Sequence, residues 1–334
     1  MSLPFNAKKR KVLVRIDDAV SDPAFGCDPY KRSTQDHVDY GIVLLNKPQG
    51  PTSHDVADSV KKILQIKKAG HSGTLDPNVT GLLVIALSKV TRVIDSLLKS
   101  GKEYVCLMRL HTDVDEKVIR ETLASFVGEI EQMPPLKSAI KRQLRTREIY
   151  YLELLEVDGR EVLFRVGCQA GTYIRKLCTD AGEKMGTKAH MQELVRTKVA
   201  HFEDKNWVSL HDLKDAYVSW KENDDDSLLR ECIQPVEEIV KTMPKVWLLD
   251  SAIDTVCHGA FLSVPGVAKL DEGININDRV AMMSLKGELI GIGFARMNSQ
   301  NLLRQEKGVA IGDTRIFMPR KTYEKYTVRQ DEKS

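Results

Sequence analysis

A single acidic residue, Asp76, lies in a stiff loop with the sequence HSGTLDP (residues 71–77). No second acid, cysteine or metal-type histidine pair lies beside it. On local grounds such an aspartate caps a helix or closes an Asx-turn before Pro77. It can instead act on carbon as a nucleophile or a general base. Glycoside hydrolysis usually needs a second carboxylate, and phosphoryl transfer needs further acidic ligands or a Gly-rich lysine loop, so neither reaction fits this pattern.

Five basic side chains follow the rigid pair Pro134-Pro135 in the stretch PPLKSAIKRQLRTR. The stretch is either a solvated surface segment or a loop that follows a phosphate backbone, because ammonium and guanidinium groups neutralise phosphate charge. The five candidates for RNA contact are Lys137, Lys141, Arg142, Arg145 and Arg147.

Two further side chains have both a structural and a chemical interpretation. Tyr104 begins an alternating strand pattern, where an aromatic ring belongs to the core or stacks on a nucleic-acid base. Arg175 lies near the predicted start of a helix, where a cation opposes the helix dipole unless an anion is close. Arg175 is therefore a candidate partner for Asp76.

The composition is that of a globular protein with unevenly spread charge. The 334 residues suffice for roughly two domains, and 42% of them are apolar. The net charge is only +3, yet residues 8–11 and 137–147 are basic and residues 222–226 are mostly acidic. Basic patches within a near-neutral chain are compatible with nucleic-acid binding.

The cysteines and the apolar runs limit the class of protein. No CxxC pair occurs, so we expect buried, reduced thiols and no zinc site. We find neither a signal peptide nor an apolar run of membrane-spanning length, and we expect a cytoplasmic protein that contacts no membrane. The cysteines are Cys27, Cys106, Cys168, Cys178, Cys232 and Cys257.

Hydrophobic periodicity predicts an α+β fold. The strand and helix patterns lack a strict βαβ rhythm, so we expect a mixed, largely antiparallel sheet. Asp158-Gly159 between two apolar runs predicts a hairpin. The main predicted strands are 41–48, 81–87, 102–111, 148–157 and 160–169, and the main predicted helices follow Thr52 or Ser53, run from about 172 to 184 and run from about 189 to 196.

Changes in composition and hydrophobic pattern along the chain predict its domains. Residues 1–38 are polar and predict an irregular arm, and residues 218–244 predict a loop-rich connection. Beyond it, a helix at 251–258 and a hairpin built from RVAMMSL and ELIGIGFARM predict a small β-barrel-like domain. The predicted divisions are an arm at 1–38, a main domain at 39–243, the small domain at 244–322 and a charged tail at 323–334.

Five blocks of the chain resemble, in the same order, the motifs of TruB-family pseudouridine synthases. They are GHSGTLDPNVTGLL (70–83), GKEYV (101–105), PPLKSAIK (134–141), AGTYIRKLCTDAG (170–182) and ELVRTKV (193–199). The module from about Pro244 to Arg320 resembles a PUA domain. Only RQLRTR (142–147) stands where bacterial members of the family carry a longer insert that grips tRNA. The chain thereby resembles the archaeal dyskerin-type branch in particular.

The resemblance implies an isomerase without cofactor or metal. In this family uridine in RNA loses its N-glycosidic bond, the uracil turns, and a C-glycosidic bond forms at C5. By resemblance Asp76 is the catalytic carboxylate, Arg175 pairs with it and holds it ionised and aimed, and Tyr104 stacks on the flipped base. The resemblance further implies that Leu194 lines the uracil pocket and that His71 lies near the flipped nucleotide. The resemblance also implies that Gly259, in the PUA-like module, contacts RNA.

The same resemblance implies partners and leaves three functions open. The first is the catalytic subunit of an H/ACA guide ribonucleoprotein that modifies rRNA, with the PUA domain on the ACA end of the guide and small companion proteins on the catalytic domain. The second is guide-independent modification of the tRNA T-loop uridine. The third is an inactive RNA-binding scaffold, against which the joint presence of Asp76, Tyr104 and Arg175 argues.

Overall fold

The computed structural model describes Leu3 and residues 10–133 and 143–324. Described parts of Met1–Asn6 and Ile42–Ile233 form a first compact unit, and those of Ala7–Gly41 and Gln234–Ser334 form a second. Among Leu3, 10–133 and 143–324, no helix combines the length and apolar character that a membrane crossing needs.

The strands of the described ranges are β1 (Val12–Val14), β2 (Gly41–Lys47), β3 (Ala69–His71), β4 (Thr80–Leu87), β5 (Lys102–Leu110), β6 (Gly128–Gln132), β7 (Arg145–Asp158), β8 (Glu161–Cys168), β9 (Ala189–Val199), β10 (Phe202–Glu203), β11 (Ile233–Pro235), β12 (Lys245–Leu248), β13 (Leu262–Ser263), β14 (Val267–Asp271), β15 (Arg279–Met283), β16 (Leu289–Ala295) and β17 (Val309–Ile316). The α-helices are α1 (Thr34–Asp39), α2 (Ser53–Leu64), α3 (Asp95–Leu98), α4 (Glu116–Ala124), α5 (Ile174–Lys184), α6 (Leu210–Asn223), α7 (Ser227–Cys232), α8 (Asp250–Cys257) and α9 (Ser299–Arg304). Short 3-10 helices cover Pro29–Lys31, Ser88–Ile94, Asp204–Asn206, Val236–Val240 and Val264–Gly266.

The first unit is built on a mixed sheet with the strand order β2-β4-β9-β5-β8-β7-β6. Only the β4–β9 pair within this order is parallel, and the other neighbours are antiparallel. The predicted α+β class with a largely antiparallel sheet is therefore confirmed. The predicted hairpin is also present, with Asp158 opposite Glu161 and Gly159 at φ +55° in the turn, a backbone conformation that suits glycine.

The start and the buried face of helix α2 follow from local sequence signals. The Thr52 hydroxyl accepts from the Asp55 N–H, and the Asp55 carboxylate accepts from the Thr52 N–H, which makes a capping box. Val56, Val60 and Leu64 are buried on one face, as the periodicity predicts.

Two predicted segments after residue 38 differ from the structure. Residues 189–196 were predicted as a helix but lie in strand β9, because this segment pairs with β5 along its whole length and the pairing overrides weak local helix propensity. Residues 218–244 were predicted as loop-rich, yet α6 extends to Asn223 and α7 follows within a few residues. The acidic run falls at this junction, where Asp224 adopts a left-handed conformation that ends α6.

The second unit contains a seven-stranded sheet with the order β1-β14-β12-β15-β16-β17-β13. The helix predicted at 251–258 is α8, and the predicted hairpin is the antiparallel pair β15–β16. The first strand comes from the polar stretch predicted as an irregular arm, where Val12 pairs with Asp271. That stretch is thus part of the sheet of this unit rather than irregular throughout.

The six cysteines are all unpaired in the structure. Five are buried and Cys27 is half-buried, so the prediction of reduced, mostly buried thiols is confirmed. Within the described ranges, no group of three or more His, Cys, Asp or Glu side chains is arranged to hold a metal ion.

Candidate active site

The loop that carries Asp76 connects two adjacent strands, β3 and β4. Its first residue, Ser72, is fully buried and bonds twice to Val84, since the Ser72 N–H donates to the Val84 carbonyl (3.0 Å) and the Val84 N–H donates to the Ser72 hydroxyl (3.2 Å). Gly73 follows at φ +126°, a conformation that side-chain-bearing residues rarely adopt. The loop therefore leaves the end of β3 in a fixed direction.

Ser53 holds the residue just before Asp76. The Leu75 N–H donates to the Ser53 hydroxyl at 2.8 Å, and that hydroxyl lies 3.3 Å from the Leu75 carbonyl oxygen, to which it donates. Ser53 is the first residue of α2 and is 1% exposed, and Leu75 is buried in the core. The loop is thus attached to the helix as well as to the sheet.

Lys47 holds the residues just after Asp76. Its ammonium donates to the carbonyls of Pro48 (2.9 Å), Pro77 (3.1 Å) and Val79 (2.9 Å), so all three N–H bonds of the charged form have acceptors. The side chain is fully buried. Burial lowers the pKa of Lys47, whereas the nearby Asp76 carboxylate raises it. A cation buried beneath the loop therefore adds positive charge close to Asp76.

The carboxylate of Asp76 is bound by Arg175 from the first turn of α5. Arg175 Nη2 lies 2.5 Å from Asp76 Oδ2, and both side chains are more than half exposed. The predicted partnership of these two residues is therefore confirmed. The turn itself is closed by the main chain, because the Val79 N–H donates to the Asp76 carbonyl at 3.0 Å. In an Asx-turn the Asp76 carboxylate itself would accept a main-chain N–H. Here the main-chain carbonyl accepts that bond, and the carboxylate accepts from Arg175.

Tyr104 and Leu194 lie on neighbouring strands beside this loop. Tyr104 is half-buried on β5 and packs against the core cluster that includes Leu194 of β9. Burial raises the pKa of the Tyr104 phenol, and the Arg196 guanidinium lowers it. The Asp76 carboxylate is near enough to raise this pKa further. The fold thus brings Asp76, Arg175, Tyr104 and Leu194 into one region.

Arg196 ties the strand of Leu194 to the loop of Asp76. It is opposite Tyr104 in the β5–β9 pairing and is 1% exposed. Its Nε donates to the Leu82 carbonyl (2.8 Å) and its Nη2 to the Gly73 carbonyl (3.1 Å). Among the residues that the structure describes, no carboxylate lies at hydrogen-bond distance from this buried guanidinium, which is held by carbonyl oxygens and by the phenol that it faces.

His71 ends β3 and is half-buried at the start of the loop. Its Nδ1 accepts the N–H of Gly73 at 3.4 Å, which requires that this nitrogen carry no proton. Burial lowers the pKa of His71, and the charge of Arg196 lowers it further. The imidazole is therefore neutral at physiological pH, and its Nδ1 can accept the hydrogen bond from Gly73.

The predicted RNA-contacting residues are only partly within the described ranges. Arg145 and Arg147 lie at the start of β7, where they pair with Gln132 and Ile130 of β6. Gly259 follows α8 in the second unit at φ +98°, with open space where a side chain would be. Lys137, Lys141 and Arg142 lie outside the described residues.

Sequence reasoning missed Lys47 and Arg196 as parts of the site. Lys47 is the single cation of GIVLLNKP, and Arg196 is one of two cations, with Lys198, in ELVRTKV. A buried cation needs several acceptors, so a Lys or Arg among the apolar residues of a strand is the signal that could have identified them.

Models of four domain families match the chain. They are the TruB family pseudouridylate synthase N-terminal domain at residues 61–174, the tRNA pseudouridylate synthase B C-terminal domain at 175–241, the PUA domain at 244–316 and the DKCLD domain at 2–57.

Curated relatives match over nearly the whole chain. The probable tRNA pseudouridine synthase B of Pyrococcus horikoshii is 51% identical over 318 residues, 95% of this chain and 95% of the relative. The protein of the same description from Methanothermobacter thermautotrophicus is 50% identical over 310 residues, 93% of this chain and 96% of the relative.

Two solved structures resemble the fold closely. A chain in a Cbf5-Nop10-Gar1 complex superposes with a TM-score of 0.90 at 51% identity, covering 97% of this chain and 99% of that one. A chain in an H/ACA RNP bound to a substrate RNA containing 2′-deoxyuridine also has a TM-score of 0.90, at 48% identity with the same coverage. The chain therefore belongs to the TruB family of pseudouridine synthases and carries the DKCLD and PUA domains of its dyskerin-type branch.

Proposed function

We propose that this protein isomerises uridine to pseudouridine in RNA and that Asp76 is its catalytic carboxylate. The main support for this proposal is the contact of 2.5 Å between Asp76 and Arg175. Ser53 and Lys47 bond to the loop on either side of Asp76 and hold it in place. A carboxylate aimed in advance loses little conformational entropy when the substrate arrives. The pair is exposed, as a site that receives a macromolecular substrate must be.

The reaction rearranges bonds within one nucleotide and needs no water. The N1–C1′ bond breaks, the uracil turns, C5 bonds to C1′, and the proton of C5 leaves while N1 takes one up. Asp76 attacks the sugar, attacks the base or removes a sugar proton, and each of these needs an ionised, directed carboxylate. A single carboxylate suffices because no hydrolytic water has to be activated on the opposite face of the sugar.

Tyr104 and Leu194 form the proposed base pocket, with His71 near the flipped nucleotide. The target uridine has to leave its stack, which costs on the order of a few kcal/mol. Stacking on the Tyr104 ring returns about 1–3 kcal/mol. Because burial raises the pKa of Tyr104, its phenol stays protonated at neutral pH and can donate or relay a proton.

We further propose that the protein is the catalytic subunit of an H/ACA guide ribonucleoprotein in the cytoplasm. Its similarity to a Cbf5-Nop10-Gar1 complex and to an H/ACA RNP with substrate RNA supports this assembly. The guide selects rRNA uridines by base pairing, the PUA domain with Gly259 holds the ACA end of the guide, and companion proteins dock on the catalytic domain. Similarity to tRNA pseudouridine synthase B supports a second substrate, the tRNA T-loop uridine.

To test both proposals, the purified protein is incubated with T-loop tRNA or with rRNA fragments. Each incubation is done with and without companion proteins and guide RNA, and the positions of pseudouridine are then mapped. We expect product on both substrates and loss of product with Asp76→Asn. No product on any RNA would refute the enzymatic proposal and favour an inactive RNA-binding scaffold. Unchanged product with Asp76→Asn would refute the role of Asp76, and product on tRNA alone would refute the guide-dependent assembly.

A further inference from the structure

Gln132, the last residue of β6, bonds with both ends of its amide to one residue at the start of α5. The Tyr173 N–H donates to Gln132 Oε1 at 2.9 Å, and Gln132 Nε2 donates to the Tyr173 carbonyl at 3.1 Å. Gln132 is only 2% exposed and Tyr173 is half-buried, so water has limited access to these two bonds. The side chain acts on Tyr173 as a neighbouring strand would, since it binds the N–H and the C=O of the same residue.

Tyr173 is the residue from which α5 starts. It is the N-cap of that helix, and no side chain of its own caps the helix. Its carbonyl also accepts the first bond within the helix, from the Leu177 N–H at 3.0 Å. An outside amide that fixes both polar groups of the N-cap therefore fixes where the first helical turn begins.

The first turn of α5 carries Arg175, two positions after Tyr173. Core packing of Ile174, Leu177 and Cys178 holds the body of the helix. Such packing has little directional preference, whereas the two bonds from Gln132 are directional. The long Arg175 side chain extends from that turn to Asp76.

We propose that Gln132 is a positioning residue for the reaction, because it sets the start of α5 and thereby holds Arg175 on Asp76. The expected effect on the reaction rate rests on the proposed function. The expected effect on the distance between Arg175 and Asp76 does not. Gln132 touches neither Asp76 nor the substrate in this proposal, and it acts only through Tyr173 and Arg175.

The test compares Gln132→Met with Thr122→Val. Methionine keeps the length of the side chain and loses both polar groups. Thr122 is a buried polar residue of α4 in the same unit, so its variant controls for the loss of a buried polar group. Crystal structures of both variants measure the distance from Arg175 Nη2 to Asp76 Oδ2. We expect this distance to exceed 3.5 Å in Gln132→Met and to stay at hydrogen-bond length in Thr122→Val.

Kinetics with a T-loop tRNA under single-turnover conditions give the second measurement. We expect Gln132→Met to lower the maximal rate roughly 10- to 100-fold, because small misplacement of a catalytic group has effects of this size, and to change RNA affinity less than about 3-fold. In the Arg175→Ala background, Gln132→Met should lower the rate less than about 3-fold, since the residue through which it acts is gone.

Three outcomes separate the inference from the proposed function. Arg175 remaining on Asp76 in the Gln132→Met crystal structure would overturn the inference. Additive effects of Gln132→Met and Arg175→Ala on the rate would also overturn it, because they would mean that Gln132 acts independently of Arg175. Absence of product with the wild-type protein would refute the function, while the crystallographic distance would still decide whether Gln132 positions Arg175.

Discussion

Arg175 Nη2 lies 2.5 Å from Asp76 Oδ2, although 99 positions separate the two residues in the chain. The carboxylate comes from a loop between β3 and β4, and the guanidinium comes from the first turn of α5. Because both side chains are more than half exposed, the contact contributes little to folding. The contact instead fixes the direction of the Asp76 carboxylate.

Replacing Arg175 by alanine should therefore reduce activity without unfolding the protein. Without Arg175 the carboxylate loses its direction, and because misplacement of a catalytic group by about 1 Å can cost roughly 100-fold, we expect a fall in the single-turnover rate of roughly 10- to 100-fold. Thermal denaturation should show a nearly unchanged Tm. Arg165→Ala is the matched control, because it removes another exposed arginine–carboxylate pair of the same unit, with Glu153 at 3.0 Å. Equal rates for the two variants would contradict the prediction.

Replacing Lys47 by methionine should destabilise the protein. The carbonyls of Pro48, Pro77 and Val79 would lose their shared donor, and the Val79 carbonyl is in a buried contact. An unsatisfied buried polar group costs about 1–3 kcal/mol, and the carbonyls of the exposed Pro48 and Pro77 can bond to water instead, so we expect a loss of about 1–3 kcal/mol in the free energy of unfolding. Urea denaturation measures it, with the exposed Lys62→Met on α2 as control. A loss below 1 kcal/mol would show that the loop is held by other contacts.

Replacing Gly81 by alanine should disturb the pairing of β4 with β9. A methyl group at Gly81 would lie 2.4 Å from the Arg196 carbonyl oxygen and 2.5 Å from the Arg196 nitrogen. Gly128→Ala is a close control, since Gly128 has φ +107° against +108° at Gly81 but has open space around the position of a methyl group.

At nearly equal φ both alanines carry backbone strain of about 1–3 kcal/mol, so the difference between the two variants mainly reports the clash. We expect Gly81→Ala to lower the free energy of unfolding by at least about 2 kcal/mol more than Gly128→Ala does. Equal urea midpoints for the two variants would show that β4 and β9 separate without cost at this point.

The two arginines at positions 142 and 145 should contribute to RNA affinity through phosphate charge. Each phosphate contact to single-stranded RNA adds about −0.7 to the slope of log K against log salt. Binding of T-loop tRNA to Arg142→Ala/Arg145→Ala, measured by filter binding at several salt concentrations, should be weaker and should show a shallower slope. Arg120→Ala on the exposed face of α4 serves as control. An unchanged slope would exclude the phosphate contacts.

The stability of the protein should fall at mildly acidic pH because of His71. Burial and the charge of Arg196 keep the pKa of His71 below its ordinary value in the folded protein. The unfolded chain takes up this proton near pH 6.5, whereas the folded protein takes it up only at lower pH. Unfolding therefore binds a proton below about pH 6.5, and the free energy of unfolding decreases as the pH falls.

The measurement is the difference in urea midpoint between pH 7.5 and pH 5.5. His71→Gln should make this difference smaller, and His211→Gln, at an exposed position on α6, should leave it as in the wild type. A wild-type pH dependence that survives His71→Gln unchanged would assign the effect to other groups.

Much of the fold could be predicted from local patterns. The capping residues of α2, the hairpin around Gly159 and the apolar strands β2, β4 and β5 all follow from period and turn chemistry. Strand β9 could not be predicted in this way, because its local helix propensity is overridden by pairing with β5. Helix α6, in contrast, has a local signal, because its capping box at Ser209 marks a helix start more strongly than the acidic run at its end marks a loop.

The sequence by itself determined the family and the candidate carboxylate, since five ordered motifs mark Asp76, Tyr104 and Arg175. Only the tertiary structure decided how Asp76 is held. Buried cations and amides such as Lys47 and Gln132 bond to main-chain groups far away in the chain. Main-chain carbonyls and N–H groups are the same at every residue, so no residue pattern records which of them a buried side chain reaches. The fold settles that question, because burial forces each such side chain to find acceptors or donors where the packed backbone offers them.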